Sequence, residues 1–142
     1  MITSEKGTFM VENVRGNIRI DVVDAEKLKA KISKATSNVK ILDKSIEKWQ
    51  FIVDILNLGV AIGQDGGRFT CALCLKYMPI GYACQGCPVC TETGHQGCVG
   101  TPYDDFHKTN EDNIEGQTEL ALAEVRFLTR LREESALGEV FE

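Results

Sequence analysis

Residues 71–98 read CALCLKYMPIGYACQGCPVCTETGHQGC and contain all six cysteines of the chain, Cys71, Cys74, Cys84, Cys87, Cys90 and Cys98. The stretch is too polar and too rich in glycine to build a hydrophobic core of its own, so its thiols are the obvious source of order. A Cys-x-x-Cys step lets two thiolates from one tight turn reach the same ion. Cys71/Cys74 is one such step and Cys84/Cys87 a second, with nine residues between them. The chain can therefore fold back and offer four sulfurs to a tetrahedral Zn²⁺. Spacing alone leaves the choice of four open, because Cys87/Cys90 is also a Cys-x-x-Cys step and Cys98 sits among Gly94, Gly97 and Gly100. His95 offers a nitrogen ligand as an alternative.

Two other uses of the thiols compete with zinc. An iron–sulfur cluster is the alternative cofactor, since a Cys-Pro step such as Cys87-Pro88 occurs in ferredoxin-type runs, although those runs are shorter and more regular. Disulfides need an oxidising compartment. The opening Met-Ile-Thr-Ser-Glu-Lys has no apolar stretch of signal-peptide type, so the expected location is cytoplasmic and the expected thiols reduced. A thioredoxin-like redox pair would need a strand-helix-strand frame around a Cys-x-x-Cys step, and none is legible.

Working upstream, residues 24–58 show the most regular pattern in the protein. Apolar residues fall at Leu28, Ile32, Ala35, Val39, Leu42, Ile46, Trp49, Val53 and Leu56, in steps of four and three, between Asp24 as an N-cap and Gly59 as a C′ stop. This is a heptad seam with β-branched residues at a and mostly leucine at d, the preference of a parallel two-stranded coiled coil. One helix of that length would span about 50 Å at 1.5 Å per residue. The seam is expected to pack in part on the C-terminal helix and, through an exposed Leu28–Val39 half, on a second copy. Its competitor is purely internal packing or a break at Thr36-Ser37-Asn38, three weak helix formers in a row. Before it, residues 1–23 read as a β-hairpin, with alternating apolar residues on either side of Arg15-Gly16-Asn17.

Downstream, Gly100–Lys108 carries Tyr103, Asp105, Phe106 and His107. One reading packs Pro102, Tyr103 and Phe106 over the metal site as a seal; the other makes Tyr103, Asp105 and His107 a binding surface. Residues 113–136 read as a helix with Leu120, Ala121, Val125, Phe127, Leu128 and Leu131 on its apolar face, and 137–142 as a tail. Together with the upstream elements this gives an α+β fold: hairpin, long helix, cysteine module over 59–108, and a C-terminal helix antiparallel to the first.

Charge and composition bound the function. The chain is 43% hydrophobic and 26% charged with a net charge of −5, the profile of one globular unit without a broad basic face for nucleic acid. No run is long and apolar enough to cross a bilayer. Seven lysines stand between Glu26 and Lys48 against three acids, whereas eleven acids face four bases from Asp104 onward. Lys40 and Lys44 in that lysine run are candidate contacts for an anionic partner, the plainer alternative being a solvated helix face. Catalysis finds little support: Cys98 with His95 or His107 and Asp105 has suitable residue types but no diagnostic spacing, and neither a deaminase signature nor a phosphate-cradling glycine loop is present.

The order Ser45-Ile46-Glu47-Lys48-Trp49, Cys71-Ala72-Leu73-Cys74, Cys84-Gln85-Gly86-Cys87-Pro88-Val89, Thr93-Gly94, Cys98 and Thr101-Pro102-Tyr103 resembles a group of small cysteine-rich proteins of unassigned function found in bacteriophage and prophage genomes. The resemblance covers about residues 45–107 and brings no activity with it. It implies that the recurrent sulfurs are Cys71, Cys74, Cys84, Cys87 and Cys98, with Cys90 a departure. The expectation is a zinc-stabilised, dimeric binding protein that acts in the host cytoplasm as adaptor or inhibitor of a host or phage protein, including in counter-defence. Its alternatives are a protein that sequesters or processes a small anionic molecule such as a nucleotide, and a zinc module for nucleic acid. The last needs basic residues that the cysteine segment lacks, Arg68 and Lys76 being nearly alone.

Overall fold

A computed structural model describes residues 2–33, 37–63, 70–77, 87–94, 98 and 100–141. The chain opens with β1 (Ile2–Thr3), β2 (Phe9–Val14) and β3 (Asn17–Val22), an antiparallel sheet in that order. The expected hairpin is thus a three-stranded sheet, with β1 short enough to escape a periodicity reading. Register pairs Phe9 with Val22 and Val11 with Ile20. Directly opposed residues share a face, so the apolar alternation of both strands turns one way. Arg15 and Gly16 both take positive φ, 54° and 82°, which matches the twist of a two-residue hairpin loop.

Two helices follow where one was expected. α1 spans Ala25–Ser33, with the N–H of Lys27 donating to the Asp24 carboxylate at 3.0 Å. α2 spans Asn38–Asn57, with Ser37 in extended conformation as its N-cap, accepting from the N–H of Lys40. A serine hydroxyl satisfies an orphan N–H at a helix start better than it serves a helix interior, so Ser37 opens a second helix where a single one was expected. α2 stops at Gly59, whose φ of 82° lets its N–H reach the carbonyl of Leu56 at 2.9 Å.

The break changes where the seam goes. α1 packs on α3 (Ala72–Tyr77), and Leu28 and Ile32 are each only 3% exposed within the single chain. Leu28 and Ile32 of the half expected to lie bare are therefore covered and Val39 is half-buried; of the remaining seam positions Leu42, Trp49, Val53 and Leu56 are buried and Ile46 half-buried. Ala35 lies outside the described residues.

α4 (Pro88–Thr93), α5 (Pro102–Lys108) and α6 (Ile114–Phe141) complete the fold. α6 runs on through the residues expected to be a tail. It lies antiparallel to α2: Arg132 Nε is 2.9 Å from Asp43 near the start of α2, while Gln117 at the start of α6 meets Ile62 beyond the end of α2. Buried residues of α6 at 117, 121, 124, 128 and 131 make a seam of fours and threes. The expected apolar face holds at Ala121, Leu128 and Leu131, with Leu120, Val125 and Phe127 half-buried beside it. α2 packs on α6 and α3 with ten of its 20 residues buried, and forms the axis of an α+β molecule. No described helix is long and apolar enough to cross a membrane.

Candidate metal centre

The first Cys-x-x-Cys step sits at the head of α3. Cys71 precedes the helix, its carbonyl accepting from the N–H of Leu75 at 3.0 Å, and Cys74 lies one turn in. This places the Cys71 sulfur where an N-cap oxygen would be. The hydrogen bond from Cys74 pulls the Cys71 thiol down to about 6, against the opposing effect of burial; the ammonium of Lys48 and the N–H groups of Cys74 and Leu73 act in the same downward direction. A thiolate held this way is the form that ligates metal.

The second step is partly visible. Cys87 is buried and is the N-cap residue of α4, with Pro88 at the first helical position. Burial raises the Tyr77 phenol above its usual range and the neighbouring charge of Cys87 adds to this, while the hydrogen bond from Tyr77 to Asn38 opposes both. Cys87 thus lies within electrostatic reach of α3's last residue. Cys90 is half-buried on α4, where its carbonyl accepts from Gly94 N–H at 2.8 Å. Cys84 and His95 lie outside the described residues. None of the five described cysteines is in a disulfide. Among the described residues no group of three or more cysteine, histidine or acidic side chains is drawn together as a metal set. The donor chemistry of the Cys71–Cys74 pair suits half of a thiolate cage.

Cys98 has a φ of 61°, a left-handed conformation that costs a residue with a Cβ roughly 1–2 kcal/mol. Its carbonyl accepts from both the hydroxyl of Thr101, at 2.7 Å, and the N–H of Thr101, at 3.3 Å. Thr101 in turn caps α5 through the N–H of Asp104. The turn therefore fixes the backbone of Cys98 relative to α5.

α5 lies on Trp49 of α2. The indole meets Phe106 edge-on at 5.1 Å and Tyr103 at 5.7 Å, and Tyr103 meets His107 at 4.4 Å. Phe106 is buried and Tyr103 half-buried, while Asp105 and His107 are exposed. Lys40 and Lys44 are on α2, nine and five residues before Trp49, about 13 and 7 Å along the axis. Lys44 lines a concavity that includes no residue of α5, and His107 lines one that includes no lysine. The binding candidates accordingly fall into two places on the molecule.

The sequence pattern does not mark Lys48 and Gln117 as interior positions. Lys48 is 1% exposed, with Nζ 5.4 Å from the Trp49 ring and its charge felt at Cys71. Its place next to Trp49 in a buried seam was the available signal, but lysine usually reads as surface. Compared with protein-family models, curated proteins and solved structures, the chain finds no match.

Proposed function

We propose that this protein is a zinc-clipped binding protein of the phage type, an adaptor or inhibitor that works by occupying a protein partner, including in counter-defence. The observation that supports this most directly is the Cys71–Cys74 pair, hydrogen-bonded to each other at a helix start and biased toward thiolate beside the buried Lys48. Cys71 and Cys74 would hold one side of the ion, with two of Cys84, Cys87 and Cys98 as donors for the other. When bound, zinc supplies a cross-link between turns distant in sequence. The chain's own residues supply the rest: Phe106 and Tyr103 close the head onto Trp49, and Asp105 and His107 stand exposed on α5 as polar contacts for the partner. Because Leu28 and Ile32 are spent inside one chain, the proposal does not extend to the dimer that the heptad pattern invites.

Elemental analysis of protein purified under reducing conditions tests the reading. Wild type is expected to carry one zinc per chain, the Cys71→Ser/Cys74→Ser variant none, and Cys90→Ser the wild-type amount. Iron with visible absorbance would instead establish a cluster, and the absence of both metals would sink the proposal. A partner captured by wild type should be lost by Asp105→Ala/His107→Ala at unchanged zinc content.

A further inference from the structure

Lysines converge at the end of the molecule formed by the β1–β2 turn, α1 and the first half of α2. Lys6 comes from the turn, Lys27 and Lys31 from one face of α1 four residues apart, and Lys44 from α2; together they line a dent of about 80 Å³. Among the described residues of the lining Asp24 is the single carboxylate, and one of its oxygens caps α1 through the N–H of Lys27. The ammonium of Lys44 stands 3.2 Å from the hydroxyl of Thr8, which also lines the dent, and 3.4 Å from Glu47. Glu47 is itself engaged, its other oxygen accepting from the hydroxyl of Ser4 at 2.7 Å.

The four cations repel one another and outnumber the carboxylates beside them, Asp24 in the lining and Glu47 at Lys44, and in a chain of net charge −5 this is a local inversion of sign rather than a share of a general basic surface. The repulsion becomes attraction once an anion enters. The dent has room for several waters, since a single water needs roughly 10–15 Å³ of such space, and hence for one tetrahedral oxyanion. A carboxylate would satisfy one charge and two donors; a phosphate dianion matches several ammonium groups and the Thr8 hydroxyl together. We propose that this dent binds the phosphate group of a small phosphorylated molecule. A nucleic-acid backbone is the poorer fit, because the adjoining groove shares Lys6 but its other charged lining residues are Glu5, Asp43, Glu47 and Asp54, which would repel the next phosphates of a polyanion. The site is independent of the metal reading, as no cysteine lines it.

Thermal melting of the full chain in inorganic phosphate and in ribose 5-phosphate, at ionic strength held constant with chloride, tests this. Both are expected to raise Tm saturably, and Lys27→Met/Lys31→Met, at exposed positions, should weaken the apparent affinity at least tenfold while the far-ultraviolet spectrum stays that of wild type. Lys6→Met, in the turn, should weaken it in the same direction. A shift reproduced by chloride alone, or kept in full by the double variant, overturns the proposal. A single-stranded oligonucleotide that binds more tightly than either phosphate also overturns it, in favour of a polyanion surface.

Discussion

Two residues other than glycine hold a positive φ among those described, Arg15 at 54° and Cys98 at 61°, and they differ in what explains them. Arg15 is set by the hairpin: with Val14 opposite Asn17, the two-residue loop takes left-handed values at both positions, as in a type I′ turn that follows the strand twist. Cys98 is under no such demand from strand pairing, and a glycine there would adopt the same backbone without strain. Its thiol is therefore the reason to look for a use. Cys98→Gly is expected to act in opposite directions with and without metal. The metal-free variant should be more stable than metal-free wild type by about 1 kcal/mol, the strain relieved. The loaded variant should bind zinc more weakly if the sulfur is a donor. Urea unfolding of both forms, with competition for zinc by a chromogenic chelator, reads the pair of effects, and an unchanged zinc affinity would remove Cys98 from the ligand set.

At the level of elements, the contact between α2 and α6 depends on a polar residue in an apolar seam. The Gln117 side chain accepts from the N–H of Ile62 at 3.3 Å and donates to its carbonyl at 2.9 Å, so a buried amide stands in for a strand partner and anchors the loop after α2. Leucine at 117 would suit the seam by hydropathy yet strand both backbone groups. Gln117→Leu is thus expected to destabilise by about 2–6 kcal/mol, at the usual 1–3 kcal/mol for each buried unsatisfied group, seen as a lower urea midpoint with an unchanged slope. A neutral or stabilising result would mean that water replaces the amide. The same contrast marks what a sequence reveals. The sheet alternation, the caps at Asp24 and Gly59 and the apolar positions of α6 are local and were legible. The burial of Gln117 and Lys48 was not, because their residue types read as surface and only the tertiary partner makes them interior. The break before Ser37 was visible as a competitor to a continuous helix; the decisive fact, that α1 finds α3 to pack on, lies beyond any window of adjacent residues. The Cys71–Cys74 pair was readable from spacing, while the lysine dent was not, because it draws on three segments with no common period.

For the molecule as a whole, one core joins a helical scaffold to the cysteine-bearing head: Leu73, Val89 and Phe106 belong to the same buried cluster as Phe9, Ile41 and Leu128. The scaffold has an apolar interface of its own in the sheet, α2 and α6, and each large buried aliphatic side chain contributes about 1.5–3 kcal/mol there without help from any thiol. The head has little beyond its few apolar residues, so loss of a metal clip should be felt unequally. Trp49, the chain's single tryptophan, sits at the junction, buried against Phe106 and Tyr103 of α5 and beside Lys48, whose charge reaches Cys71. Its emission should therefore report the head while far-ultraviolet circular dichroism, dominated by the 20 residues of α2 and the 28 of α6, reports the scaffold. Chelation under reducing conditions is expected to shift Trp49 emission to the red and lower Tm, with most of the helical signal kept at 25 °C, and added zinc should reverse both changes. If emission and Tm stay where they were after the chelator has been shown to leave the protein metal-free, the head holds itself together by packing alone and the thiolates serve another purpose. If the helical signal collapses along with the emission, scaffold and head are one cooperative unit and the apolar interface of α2 and α6 is insufficient without the clip.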